Sequence, residues 1–309
     1  GSEMCIRDRG VHNIAGHTSP AYNRACRMEP CVLDGLALQA EAEQKLDLGS
    51  IDSTLDSVET YLRSVGDSSP IYNEAGIAPP LFSAASALGS LLKELALPPG
   101  AIHSLQEIET VTPVVIGSEV KARALVEKPR RRAGLEFVTV VCTVESDGSI
   151  AIKSKSTVLV PGEVSSETPS KDGKNQNSGR IVSDLAVVSR SINQERLNAY
   201  ARSSGDDNPL HLDSDFAAGT QFGGIIAHGM LTLAFISEMM AVAHGVDWLR
   251  TGSLRVRFKG AAYLGDQVET WGTLTKDQNS TLIYGVGANN TATGQELITG
   301  SAGLTIIRE

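Results

Sequence analysis

The segment Tyr61-Leu62-Arg63-Ser64-Val65-Gly66-Asp67-Ser68-Ser69-Pro70-Ile71-Tyr72 returns as Tyr200-Ala201-Arg202-Ser203-Ser204-Gly205-Asp206-Asp207-Asn208-Pro209-Leu210-His211, with Tyr, Arg, Ser, Gly, Asp and Pro in step. A weaker echo follows each copy in the same order: Thr112-Pro113-Val114-Val115-Ile116-Gly117-Ser118-Glu119-Val120 and Gly260-Ala261-Ala262-Tyr263-Leu264-Gly265-Asp266-Gln267-Val268. A chain that repeats a pattern in this way builds one unit twice.

Each copy reads alike. A short helix ends at a Gly-Asp turn, and an apolar helix follows. In the second copy that helix runs from about His228 to His244 and is apolar nearly all round, so it must be enclosed on every side. In the first copy Leu81, Phe82, Leu88, Leu91, Leu92 and Leu95 play the same part. Strands come next: Leu254, Val256 and Phe258 alternate with Arg255, Arg257 and Lys259, while Glu136–Glu145 and Ile150–Val160 are rich in Val, Thr and Ile. A buried helix followed by strands, twice, predicts an α+β chain in which an antiparallel sheet wraps one helix in each half.

The remaining segments set the boundaries. Residues 161–180 hold one aliphatic side chain and read as a linker between halves at 51–160 and 181–309. Residues 1–50 show no period and no capping logic; they read as a non-native or disordered leader, with a native start near Met28. The net charge of −9 argues against nucleic acid as the partner. No apolar run is long enough to span a membrane. Cys5, Cys26, Cys31 and Cys142 have neither paired nor metal-like spacing, so the expected setting is reducing and cytoplasmic. Lys128-Pro129-Arg130-Arg131-Arg132 reads as a solvated hairpin tip.

Chemistry concentrates in the second copy. Gly205-Asp206-x-Asn208-Pro209-Leu210-His211 is followed by Phe216-Ala217-Ala218 and then by Ala227-His228-Gly229-Met230. With these strings the chain, over roughly residues 55–308, resembles the MaoC-like dehydratases, the family of (R)-specific enoyl-CoA hydratases and 3-hydroxyacyl-thioester dehydratases. The resemblance implies a double hot-dog fold and reversible hydration of trans-2-enoyl thioesters, with Asp206 and His211 sharing one water. It implies that Gly229, at a helix start where backbone N–H groups lack internal partners, donates to the thioester oxygen. Ser237 falls on a position that the family uses to line the site; the alternative is a buried hydroxyl bonded to a backbone carbonyl. Asn208 belongs to the substrate-side loop. Arg255 and Arg257, with Lys259 beside them, offer cations to coenzyme A phosphates, unless they simply form an exposed sheet face. His228 reads as a cap residue without a chemical role, and Tyr200 as core.

The first copy keeps Asp67 but has Tyr72 in place of the histidine and Pro79-Pro80 at the helix entry, where no N–H is available. Asp67 therefore reads as a turn residue, and this half as a wall of the acyl pocket. The expected partner is an acyl-CoA or acyl-carrier-protein thioester. No cofactor is expected beyond coenzyme A as part of the substrate, and a homodimer of double hot-dogs is an assembly the resemblance allows. The competing functions are a hot-dog thioesterase and a non-catalytic acyl-thioester binding protein.

Overall fold

A computed structural model describes residues 43–95, 101–132, 135–161 and 183–307. The first half contains β1 (Lys45–Ile51), α1 (Leu55–Val65), α2 (Ile71–Ala75), α3 (Pro80–Glu94), β2 (Ile102–Thr110), β3 (Val120–Val126), β4 (Arg130–Arg132), β5 (Leu135–Ser146) and β6 (Ser149–Pro161). The second half contains β7 (Ser189–Ser191), α4 (Gln194–Ser204), a 3-10 turn (Pro209–His211), α5 (Ser214–Ala218), α6 (Gly229–His244), α7 (Val246–Thr251), β8 (Ser253–Phe258), β9 (Gln267–Gln278), β10 (Thr281–Asn290) and β11 (Glu296–Thr305).

All strands join one antiparallel sheet in the order β1-β3-β5-β6-β2-β8-β11-β10-β9-β7, with β4 beside β5. The order is a palindrome of two five-strand sheets, and the β2–β8 pair at its centre, with Ile108 opposite Leu254, makes the halves continuous. Each sheet wraps its long helix, which is the expected double hot-dog. Along α6 every side chain from Met230 to Ala241 is buried. At such a position a polar face would cost more desolvation than it could regain.

The helices that carry the repeat end as anticipated. Gly66 and Gly205 close α1 and α4 with φ of 80° and 76°, a left-handed backbone that glycine adopts without a Cβ clash. Arg196 Nη1 donates to the Val65 carbonyl at 2.7 Å, and Arg190 Nη2 to the Gly66 carbonyl at 2.8 Å. Cations of the second half thus cover the negative end of a helix in the first. Gly89 lets α3 press on the end of α4, since a Cβ there would collide with the Ser204 carbonyl oxygen.

One boundary moves. Residues 45–50, placed in the leader, form most of β1, and Glu43 already donates to the Val126 carbonyl at 3.0 Å. The register shifts between Asp47 and Gly49, so Leu48 and Ile51 both face inward at an odd spacing. That bulge breaks the two-residue period by which a strand is recognised. The proposed start near Met28 and the 161–180 linker lie outside the described residues, apart from Pro161 at the end of β6. Arg130–Arg132 are exposed along β4, as a solvated hairpin requires. Among the described residues no helix is long and apolar enough to cross a membrane.

Candidate active site

The turn after α4 places the acid and the imidazole. The Gly205 N–H returns to the Ala201 carbonyl at 2.9 Å, and the chain then leaves the helix at Asp206. Asn208 caps the 3-10 turn, its Oδ1 accepting from the Leu210 N–H at 3.0 Å. Pro209 opens that turn with a preset φ, and His211 closes it on the inside. His211 Nδ1 lies 2.8 Å from the Ile226 carbonyl. A carbonyl only accepts, so Nδ1 carries the ring proton and Nε2 keeps a bare lone pair.

A carboxylate oxygen of Asp206 and ring nitrogens of His211 and His228 lie within 4.8 Å of one another. Two hydrogen bonds of about 2.8 Å to a single water span about 4.5 Å at a tetrahedral angle, so this spacing leaves room for one water between the acid and an imidazole. Burial pushes the Asp206 carboxyl up, opposed by His211, and pushes the His211 imidazole down, opposed by Asp206. Both shifts favour the neutral forms and bring the proton affinities of the two groups closer together.

His228 does more than its sequence position suggested. It is the N-cap residue of α6, yet its side chain makes no cap bond. Its Nε2 instead donates to the Asp206 backbone carbonyl at 3.1 Å, and its ring stacks on His211 with centroids 3.8 Å apart. Tyr200, buried as expected of a core residue, packs on its other side at 5.0 Å. The Ala-His-Gly-Met string held this signal, because a polar ring forced inside at a helix entry must find partners. Asp206, His211 and His228 are also the one trio with metal-ligand spacing among the described residues.

Gly229 opens α6, where its N–H has no carbonyl to accept it within the helix. A Cβ at this position would lie 3.0 Å from the Phe258 ring. Asp206, Asn208, His211 and Gly229 all line one cavity of about 280 Å³, walled by Leu88, Leu92, His103 and Val158 of the first half and by Met230 and Phe258 of the second.

Three other candidates are placed elsewhere. Ser237 is buried and does not line this cavity; its Oγ accepts from the Trp248 indole at 3.1 Å. Eight residues beyond Gly229, it is carried about 12 Å along α6 and turned toward the first half. It is a buried hydroxyl, though its partner is an indole rather than a carbonyl. Arg255 and Arg257 project from the outer face of β8, whose inner face carries Leu254, Val256 and Phe258. Arg255 pairs there with Glu107 at 3.1 Å. Of the three cations, only Lys259 reaches the cavity.

The matching corner of the first half is closed. The Asp67 carboxyl accepts from the Tyr72 hydroxyl at 2.6 Å and from the Ser69 N–H at 2.9 Å. It is thus a turn former, as expected, and also half of a buried pair. The void it shares with Tyr61, Tyr72 and Pro79 measures about 10 Å³, while on its other side it borders a groove of about 490 Å³ with Ser68, Glu74 and Glu238.

Fold and site together define a double hot-dog whose second half holds an acid–imidazole pair at the entry of its buried helix. Residues 181–295 match the family model described as MaoC like domain. The chain is 32% identical over 83 residues to the 3-hydroxybutyryl-CoA dehydratase of Methylorubrum extorquens, covering 27% of this chain and 53% of that protein. It is 31% identical over 90 residues to the (R)-specific enoyl-CoA hydratase of Rhodospirillum rubrum, covering 29% of this chain and 62% of that protein. The matches thus span little more than half the length of these relatives. The fold as a whole is similar to the crystal structure of a MaoC-like dehydratase from Phytophthora capsici, with a TM-score of 0.67 at 17% identity over 85% of this chain and 95% of that one.

Proposed function

We propose that the chain catalyses the reversible hydration of trans-2-enoyl-CoA thioesters to (R)-3-hydroxyacyl thioesters. The observation that carries this reading is the Asp206 carboxyl within 4.8 Å of a His211 ring nitrogen at the wall of a mainly apolar cavity, with the His211 Nδ1 bonded to a carbonyl. In the forward direction the water oxygen bonds to the β-carbon and gives a proton to the pair. The double-bond electrons move toward the thioester carbonyl, whose growing negative charge is met by the Gly229 N–H and the positive end of α6. The pair then returns a proton to the α-carbon, so the sum is addition of one water with no redox change.

The two halves divide the work. The second activates water, while α3, β2 and β6 of the first supply the acyl wall. Lys259 is the cation we assign to the phosphate-bearing arm of coenzyme A or an acyl carrier protein. The test is to mix the protein with crotonyl-CoA and follow enoyl absorbance and free thiol separately. Loss of absorbance without thiol supports hydration. Thiol release would mean a thioesterase, and silence on both channels a binding protein.

A further inference from the structure

On β2, Gln106, Ile108 and Thr110 face inward and are buried. Strict alternation would turn Ser104 inward next and leave His103 outside. The register breaks instead: His103 stands opposite Val158 and Leu105 opposite Thr157, so Ser104 is an extra residue, its hydroxyl donating to the Thr157 carbonyl at 3.0 Å. Bulges of this kind re-aim side chains. Cross-strand partners share a face, and both His103 and Val158 line the cavity that holds Asp206 and His211.

The re-aimed ring is held on one side and open on the other. It packs on Phe258 at a centroid distance of 4.6 Å, with the Gln106 side chain and the Leu105 backbone beside it. Gln106 is itself fixed, its Nε2 donating to Ser154 Oγ at 2.7 Å and its Oε1 accepting from Ser156 Oγ at 2.7 Å. Beside this buried polar group stands His103 Nε2, which is buried and has no partner. Burial also pushes this imidazole down to about 4, so it is neutral at pH 7. A neutral imidazole carries one proton on its two ring nitrogens, so with the proton on Nδ1 the unpartnered Nε2 is an acceptor. A neutral acceptor built into an otherwise apolar wall asks for a donor, which a plain acyl chain lacks and a hydroxyl supplies.

We propose that His103 reads the acyl chain, its Nε2 accepting a hydrogen bond from a hydroxyl group remote from the thioester, so that hydroxylated enoyl thioesters are the preferred substrates. This rests on the hydration reaction proposed above. The experiment measures kcat/KM for enoyl-CoA substrates with a terminal hydroxyl and for plain chains of equal length, over a series of lengths. The intact protein should favour the hydroxylated chain by roughly tenfold or more at one length, since a site made to bond a hydroxyl discriminates against its absence. His103→Leu and the shape-conserving His103→Phe should both bring that ratio to parity or below, and either variant that folds suffices. Parity in the intact protein at every length would overturn the inference. So would an equal loss on both substrates in the variants, which is what a structural role for His103 predicts. Crotonyl-CoA, which carries no hydroxyl, is the control that separates the two readings. Without its hydration by the intact protein the reaction itself falls, and this inference with it.

Discussion

In the proposed reaction Asp206 and His211 share one water, so removing either leaves the other without a task. Asp206→Asn and His211→Gln should each lower turnover on crotonyl-CoA by at least about a hundredfold with the fold intact. The double variant should be little worse than either single, because groups that act as a unit are not additive. Near-normal turnover in Asp206→Asn would remove the assignment. The pH profile offers a second check. Burial holds His211 below its ordinary range, and the Asp206 charge opposes that fall. Activity that needs the bare Nε2 should therefore fall only as pH drops below about 6.5, the ordinary histidine value. In Asp206→Asn the opposing charge is gone, so the acid limb of the residual kcat/KM should shift to lower pH. A shift to higher pH would mean that the limb belongs to another group.

At the scale of elements, the turn that presents Asp206 is braced from the other half, where Gly89 of α3 sits against the Ser204 carbonyl. Gly89→Ala should force α3 and α4 apart, costing about 1–3 kcal/mol as overpacking does, and should also lower kcat by moving the acid. Urea unfolding and crotonyl-CoA kinetics on one preparation check both effects; lost stability at unchanged kcat would uncouple α3 from the turn. Which elements could be read from the sequence follows from how local their signals are. The buried helices declared themselves by composition, and the Gly-Asp turns by a backbone need that side chains cannot mask. The orientation of Ser237, Arg255 and Arg257 depended on how an element rotates against its neighbours, and no local pattern carries that. β1 and the inward turn of His103 were hidden by the same device, a bulge that inserts one residue and cancels the alternation.

For the molecule as a whole, the sheet has two different ends and a middle that neither half can leave exposed. Deletion through Ile51, compared with deletion through residue 42, should lower the urea midpoint, since it strips β1 from β3 and bares a sheet edge. Equal midpoints would mean that β1 adds nothing to stability. The second half expressed from Ser183 onward loses β2 from the flank of β8 and the α3, β2 and β6 walls of the cavity. It should aggregate or pair with itself through β8, and its mass must be measured alongside its activity. A soluble monomer with full activity on long chains would show that the first half is no part of the site.

The continuous β2–β8 seam also changes what a substitution can do. In a symmetric pair of identical subunits every change is made twice, once in each copy, and must suit both. Here the two copies are joined in one chain and each position occurs once. Pro79 and Pro80 could enter the helix start of one half while Gly229 stayed at that of the other, and a histidine could enter one cavity wall without an imidazole appearing beside the second helix. Joining the halves makes the two sides of the cavity separately adjustable, and on the proposed reaction it leaves one working site where a symmetric pair would have two.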